Sequence, residues 1–273
     1  MELTFIVIIG IAVTSFLCEY MDASLGMGYG TTLTPLLLLA GFSPLQIVPA
    51  VLIGQMAGGI VGGICHHKFG NIKLDFRRDE ELIKRKLRGL GYIPTSPDSK
   101  VVFFLAIFGI LGSLVAVFVA VNIPNLVLKT YIGVMVLAIG LMILFRRNHE
   151  FTFSWIRLIV IGLISSFNKG ISGGGYGPLV TGGQIISGRD VRGSVGSTTM
   201  AEAFVCIVAF LGYLIVGENI YWKLAATTSI GSILAGPFAS LTVKKMQTKR
   251  LKLIIGILTT ILGTLTLAKT YVF

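Results

Sequence analysis

The chain has 273 residues, 54% of them apolar and only 13% charged, with a mean hydropathy of +0.86. Soluble domains carry about 25% charged residues, so a water-soluble globule is excluded. The apolar content likewise excludes a disordered chain, and the 34 glycines follow no collagen-like period. The apolar residues come in long blocks rather than in alternating ten-residue segments. The expected class is therefore an all-α integral membrane protein and not a barrel.

In chain order the apolar blocks fall at 3–23, 31–41, 45–65, 101–121, 126–145, 156–169, 178–187, 194–217, 222–243 and 251–270. Leu3 to Leu17 has no basic residues before it and no small-residue site precedes Cys18, so this block reads as a retained helix rather than a cleaved leader. Crossing the hydrocarbon core takes about 20 residues, and the blocks 31–41, 156–169 and 178–187 are too short. Each short block adjoins a glycine run, Gly26–Gly30 or Gly173–Gly177. This predicts two hairpins whose helices break inside the membrane. Cys18, Cys65 and Cys206 lie in or beside apolar blocks and define no disulfide framework.

The net charge of +11 is a matter of topology. Nine of the 23 Lys and Arg lie in 66–100, and ten more flank the segments around 146–157, 189–192 and 244–252. The opposite side holds Lys129, Lys223 and Lys269, and Lys169 lies inside a block. Basic residues favour the cytoplasmic side, which places loop 66–100 in the cytoplasm and both termini outside, in a multi-pass protein of the cytoplasmic membrane. The same distribution excludes a nucleic-acid partner. Leu74–Arg88 reads as an amphipathic helix resting on anionic lipid. Trp155, Trp222, Tyr221 and Tyr271 read as interfacial anchors. Cys65, His66 and His67 sit beside Lys68 with no further ligand nearby, so no metal or other cofactor is expected.

A shift of 147 residues aligns Gly28-Tyr29-Gly30 with Gly175-Tyr176-Gly177, Gly26 with Gly173 and Thr34 with Thr181. It also sets Asp22 opposite Lys169 and Gln55 opposite Glu202. Each half then holds one hairpin and three full spans, an odd number of crossings, so two halves in series have opposite orientation. That is the inverted-repeat plan of many secondary transporters. The expected organisation is a first-repeat hairpin and span over 1–65, a basic loop over 66–100, the remaining spans over 101–150 and a second repeat over 151–273.

Opening a helix in hydrocarbon strands backbone polar groups unless protein or a water-filled cavity covers them, so matched breaks point to a purposeful site. Thr31 and Thr32 are expected to cap the second helix of the first hairpin, and Pro178 to open that of the second. Both N-termini would then offer free N–H donors to a small anion. The predicted anion-binding set is Gly26, Gly28, Tyr29, Gly30, Thr31, Thr32, Thr34, Lys169, Gly173, Gly174, Gly175, Tyr176, Gly177 and Thr181. Four ionisable residues lie at membrane depth: Glu19, Asp22, Lys169 and Glu202. A pseudo-two-fold would bring Asp22 and Lys169 together as an ion pair. Glu202, without an obvious local partner, is the first choice for a group that couples transport to H+ or another ion, followed by Glu19 and Asp22.

The segment Asp22–Pro35, followed by Pro49–Gly54, resembles the N-terminal signature of the sulfite exporter TauE/SafE family of bacterial permeases. The run Gly170–Pro178 with Gly193–Thr199 resembles that family's second copy. The resemblance covers essentially the whole chain. It implies export of sulfite, an organosulfonate or a related small anion across the cytoplasmic membrane, coupled to an ion gradient. An anion channel needs the same positive helix ends without a coupling carboxylate. A membrane scaffold would leave the paired breaks unexplained, and an enzyme would need a nucleophile with its base or a metal set, neither of which is present.

Overall fold

A computed structural model describes residues 4–75, 94–145, 154–186, 189–217, 219–243 and 248–271. Within them the chain forms ten helices and no strand: α1 Phe5–Leu25, α2 Tyr29–Leu39, α3 Pro44–Lys68, α4 Pro97–Asn122, α5 Asn125–Phe145, α6 Trp155–Ser172, α7 Tyr176–Ile186, α8 Val191–Ile215, α9 Trp222–Thr242 and α10 Thr248–Tyr271. Every apolar block of the sequence becomes one helix. Six helices (α1, α3, α4, α5, α8 and α9) are long and apolar enough to cross a bilayer. The amphipathic helix expected over Leu74–Arg88 lies almost wholly outside the described residues.

Local chemistry sets several of the helix starts. Ser43 and Gln46 form a reciprocal capping box ahead of α3, with Pro44 at its first position. The Ser96 hydroxyl accepts from the Ser99 N–H ahead of α4, and Asp190 accepts from the Gly193 N–H at 2.8 Å ahead of α8.

The ten helices pack as two groups of five that exchange members. From the second group, α9 lies against α1 and α3; from the first, α4 lies against α6 and α8. The α3–α8 and α5–α10 pairs join the groups directly. This pattern is unchanged when the first five helices are exchanged with the last five. Small residues permit the approach: a Cβ added to Gly231 of α9 would overlap the Ala12 carbonyl of α1, and one added to Gly236 would stand 2.9 Å from the Gly62 nitrogen of α3.

Polarity is inverted relative to a soluble domain. Large apolar side chains such as Phe118 (67% exposed) and Ile215 (83%) point outward, while Ser15, Glu19, Asp22, Gln55, Lys169 and Glu202 are buried. Lipid rather than water is the medium that suits such an exterior. Gly231→Ala is expected to cost about 1–3 kcal/mol by overpacking, read as a lower thermal midpoint in detergent. Gly10→Ala, where nothing lies within 4 Å of the added carbon, should leave the midpoint unchanged or raise it.

Candidate functional site at the crossed helix breaks

The two breaks are built alike. Helix α1 ends at Gly26, a left-handed cap (φ 69°) whose N–H bonds the Asp22 carbonyl. Helix α6 ends at Gly173 (φ 74°), whose N–H bonds the Lys169 carbonyl. Gly28 (φ 137°) and Gly175 (φ 82°) then turn the chain into the next helix. Those four angles suit glycine and strain other residues. The following helices begin at Tyr29 and Tyr176, earlier than Thr31 and Pro178, because the glycine turn is complete by then and no hydroxyl cap is needed.

The breaks do not face each other across a gap; they interlock. A Cβ on Gly30 would overlap the Gly173 carbonyl, and one on Gly174 would stand 2.8 Å from the Thr31 nitrogen. On the other side a Cβ on Gly177 would stand 2.5 Å from the Gly26 carbonyl. The Thr181 hydroxyl donates to that same carbonyl at 2.8 Å, satisfying a polar group that the break leaves bare. The structure thus brings together Gly26, Gly30, Thr31, Gly173, Gly174, Gly177 and Thr181. Gly28, Tyr29, Gly175 and Tyr176 form the turns and helix starts beside them. The hydroxyls of Thr32, Thr34 and Tyr176 are buried here without a hydrogen-bond partner.

The charged residues pair differently from the expectation. Lys169 Nζ lies 2.7 Å from Glu202 Oε1, both side chains almost fully buried, so Glu202 does have a partner. Asp22 does not pair with Lys169. Its Oδ2 accepts from Gln55 Nε2 at 2.9 Å and its Oδ1 from the Tyr29 N–H at 3.2 Å. The reason is the repeat itself: Asp22–Gln55 and Lys169–Glu202 are equivalent pairs, each joining the helix before a break to the long helix after it. Sequence reasoning aligned Gln55 with Glu202 but missed that the contact runs within each half; the identical separation of the two pairs was the available signal.

One consequence concerns the helix N-termini. One donor at the start of α2, the Tyr29 N–H, is not free for a ligand, because the Asp22 carboxylate accepts from it. Asp22 lies one turn before the break, so the reversal of the chain carries α2's first N–H back to it. In the second half the same position is Lys169, which cannot accept and turns to Glu202. The two breaks therefore differ in electrostatic character, with the cation, the α7 N-terminus and the unpartnered Tyr176 hydroxyl on one of them.

Beyond the breaks, His66 is fully buried: Nε2 lies 2.8 Å from the Ala23 carbonyl, and Nδ1 lies 3.1 Å from Asn71 Nδ2. Nε2 thereby ties α3 to the end of α1, and Nδ1 holds Asn71, whose amide also donates to the Ser240 carbonyl of α9. Asp75 accepts from the backbone N–H groups of Thr95 and Ser96 and from the Thr95 hydroxyl. Partial burial pushes its carboxyl up, but these hydrogen bonds outweigh it and hold the group below the usual carboxylate range. Asp98 pairs with Arg189 and accepts from the Lys73 N–H, so α4, the α7–α8 turn and the end of the α3 connection are stitched together.

Removing one member of a dry ion pair leaves an uncompensated charge, which costs about 3–5 kcal/mol. Lys169→Met is therefore expected to lose folded protein in detergent, and Lys169→Met with Glu202→Leu to recover most of it. A double variant no more stable than the single one would show that the pair is not an isolated unit.

The sulfite exporter TauE/SafE family profile matches residues 90–266. The chain is 27% identical over 259 residues to the protein named "Probable membrane transporter protein YtnM" of Bacillus subtilis (strain 168), covering 90% of this chain and 77% of that one. No solved structure matches. The crossed glycine breaks thus sit in a multi-pass membrane transporter, and the chain belongs to the sulfite exporter TauE/SafE family.

Proposed function

We propose that this transporter carries a small sulfur-containing oxyanion, sulfite or an organosulfonate, out of the cell across the cytoplasmic membrane. In this reading the two groups of five helices are inverted-topology repeats, the second spanning 151–273, with loop 66–100 cytoplasmic and both termini outside. The observation that carries it is the interlocking of two glycine breaks at equivalent positions, around which buried hydroxyls lack partners. Unsatisfied buried donors cost about 1–3 kcal/mol each, and a bound oxyanion is the kind of ligand that would satisfy such hydroxyls.

The second break is the better anion host. No carboxylate stands at its equivalent of Asp22, whose Oδ1 accepts from the Tyr29 N–H at the start of α2; the residue there is Lys169, paired with Glu202. Closure of the centre favours a carrier over a channel: backbone touches backbone at Gly30–Gly174 and Gly26–Gly177, so an ion passes only when one break moves against the other. Alternating access by rocking of two repeats supplies that motion.

Protein reconstituted into liposomes is expected to exchange internal unlabelled sulfite for external 35S-sulfite. Gly30→Ala and Gly177→Ala, which force the breaks apart, should reduce exchange to the level of empty liposomes while the protein remains folded. Movement of no small sulfur oxyanion by the wild-type protein would end this reading. Saturation of the flux with sulfite concentration would favour the carrier, and unsaturable flux the channel.

A further inference from the structure

The carboxyl group of Glu19 is fully buried, and neither of its oxygens has a hydrogen-bond partner. Beside it lies the Ser232 hydroxyl of α9, also fully buried and unpartnered. Both crowd one notch in α3. A Cβ on Gly58 would overlap Ser232 Oγ and stand 3.0 Å from Glu19 Oε1. One turn earlier, a Cβ on Gly54 would overlap the Tyr29 hydroxyl and stand 3.2 Å from Thr228 Oγ1. The Tyr29 hydroxyl is 3.0 Å from Ser15 Oγ and faces Ser232 and Glu19. Two glycines one turn apart thus make room for a carboxyl and three hydroxyls between α1, α2, α3 and α9.

Buried carboxylate charge is costly unless a cation compensates it, and the nearby lysine is committed to Glu202. The titratable groups facing Glu19 are Cys18 and Asp22 on its own helix, Tyr29 on α2, Lys169 on α6, and Glu202 and Cys206 on α8. From α3 and α9, Gly58 and Ser232 lie against it. The cluster therefore holds one cation against three carboxyls. The polar groups set closest beside Glu19, the Ser232 and Tyr29 hydroxyls, offer oxygen, which suits a hard monovalent cation. The equivalent position in the second half is Ser166, whose hydroxyl is spent on the Gly162 carbonyl at 2.6 Å, so the feature occurs on one side only.

We infer that Glu19, Ser232 and Tyr29 form a site for one monovalent cation, H+ or Na+, that is distinct from the anion site and couples transport to an ion gradient. This rests on the transporter reading. Glu19 thereby takes the coupling role that the sequence alone assigned first to Glu202, which is locked in its ion pair. The link to the anion runs through charge and through the chain. A cation at Glu19 removes negative charge facing the Asp22–Lys169–Glu202 group, so anion and cation bind cooperatively. Tyr29 touches the cation site with its hydroxyl and begins α2 with its N–H on Asp22, so the cation site and the first break share a residue.

Two measurements on the full-length protein test this. Infrared difference spectra, acid minus alkaline and NaCl minus choline chloride, should show a buried-carboxyl band that Glu19→Gln removes; this arm needs no transported anion. In liposomes, a pH gradient without Na+, or a Na+ gradient at equal pH, should drive 35S-sulfite accumulation. Glu19→Gln, which mimics the neutral carboxyl, should lower that accumulation on the order of 10-fold while retaining sulfite exchange. Ser232→Ala should weaken coupling with Glu19 intact, and Glu19→Asp should restore part of it. Response to the pH gradient identifies H+ and response to the Na+ gradient identifies Na+; either supports the site. Undiminished gradient-driven accumulation in Glu19→Gln, or a carboxyl band that survives the substitution, would overturn it. Failure of every protein, wild type included, to move sulfite would count against the substrate reading, while the infrared band still decides the cation site.

Discussion

A peptide backbone that breaks its helix inside hydrocarbon must find another partner for the groups it bares, because lipid offers none. Here the partner is a second break. Glycine at Gly26, Gly30, Gly174 and Gly177 lets two interrupted chains pass within van der Waals contact, and the Thr181 hydroxyl covers the carbonyl of Gly26. This mutual cover explains why the glycine runs occur twice and at equivalent positions. It also explains why the first and second groups of five helices trade α4 and α9 across the centre.

The same arrangement gathers charge where charge is most costly. Each half ties the helix before its break to the long helix after it, through Asp22–Gln55 in one case and Lys169–Glu202 in the other. One frame is thus used with two chemistries. The first half keeps an acid at its break, and its Glu19 has no counter-ion; the second keeps an ion pair.

Much of this was legible in the sequence. The ten apolar blocks, the two glycine runs and the 147-residue register anticipate the ten helices and the paired breaks, because hydrophobic length and glycine torsion are local properties. The partners of Asp22 and Lys169 were not legible. A pseudo-two-fold permits contact either across the halves or within them, and only the packing of α1 on α3 and α6 on α8 selects the second. The cap on α2 was hidden for a related reason. Thr31 and Thr32 suit capping by residue type, but the tight reversal after Gly26 delivers Tyr29 N–H to Asp22 first. Nor could spacing alone single out Glu19, whose isolation depends on Ser232 arriving from the far end of the chain beside Gly58.

If interlocked breaks are the moving parts, they must loosen together. Amide hydrogen exchange, measured by mass spectrometry on the protein in lipid nanodiscs with and without sulfite, reads this directly. Sulfite should change exchange over 26–34 and 173–181 in concert, and Gly30→Ala should abolish the response in both segments. A response confined to one break, or two breaks that exchange independently while transport proceeds, would contradict the account.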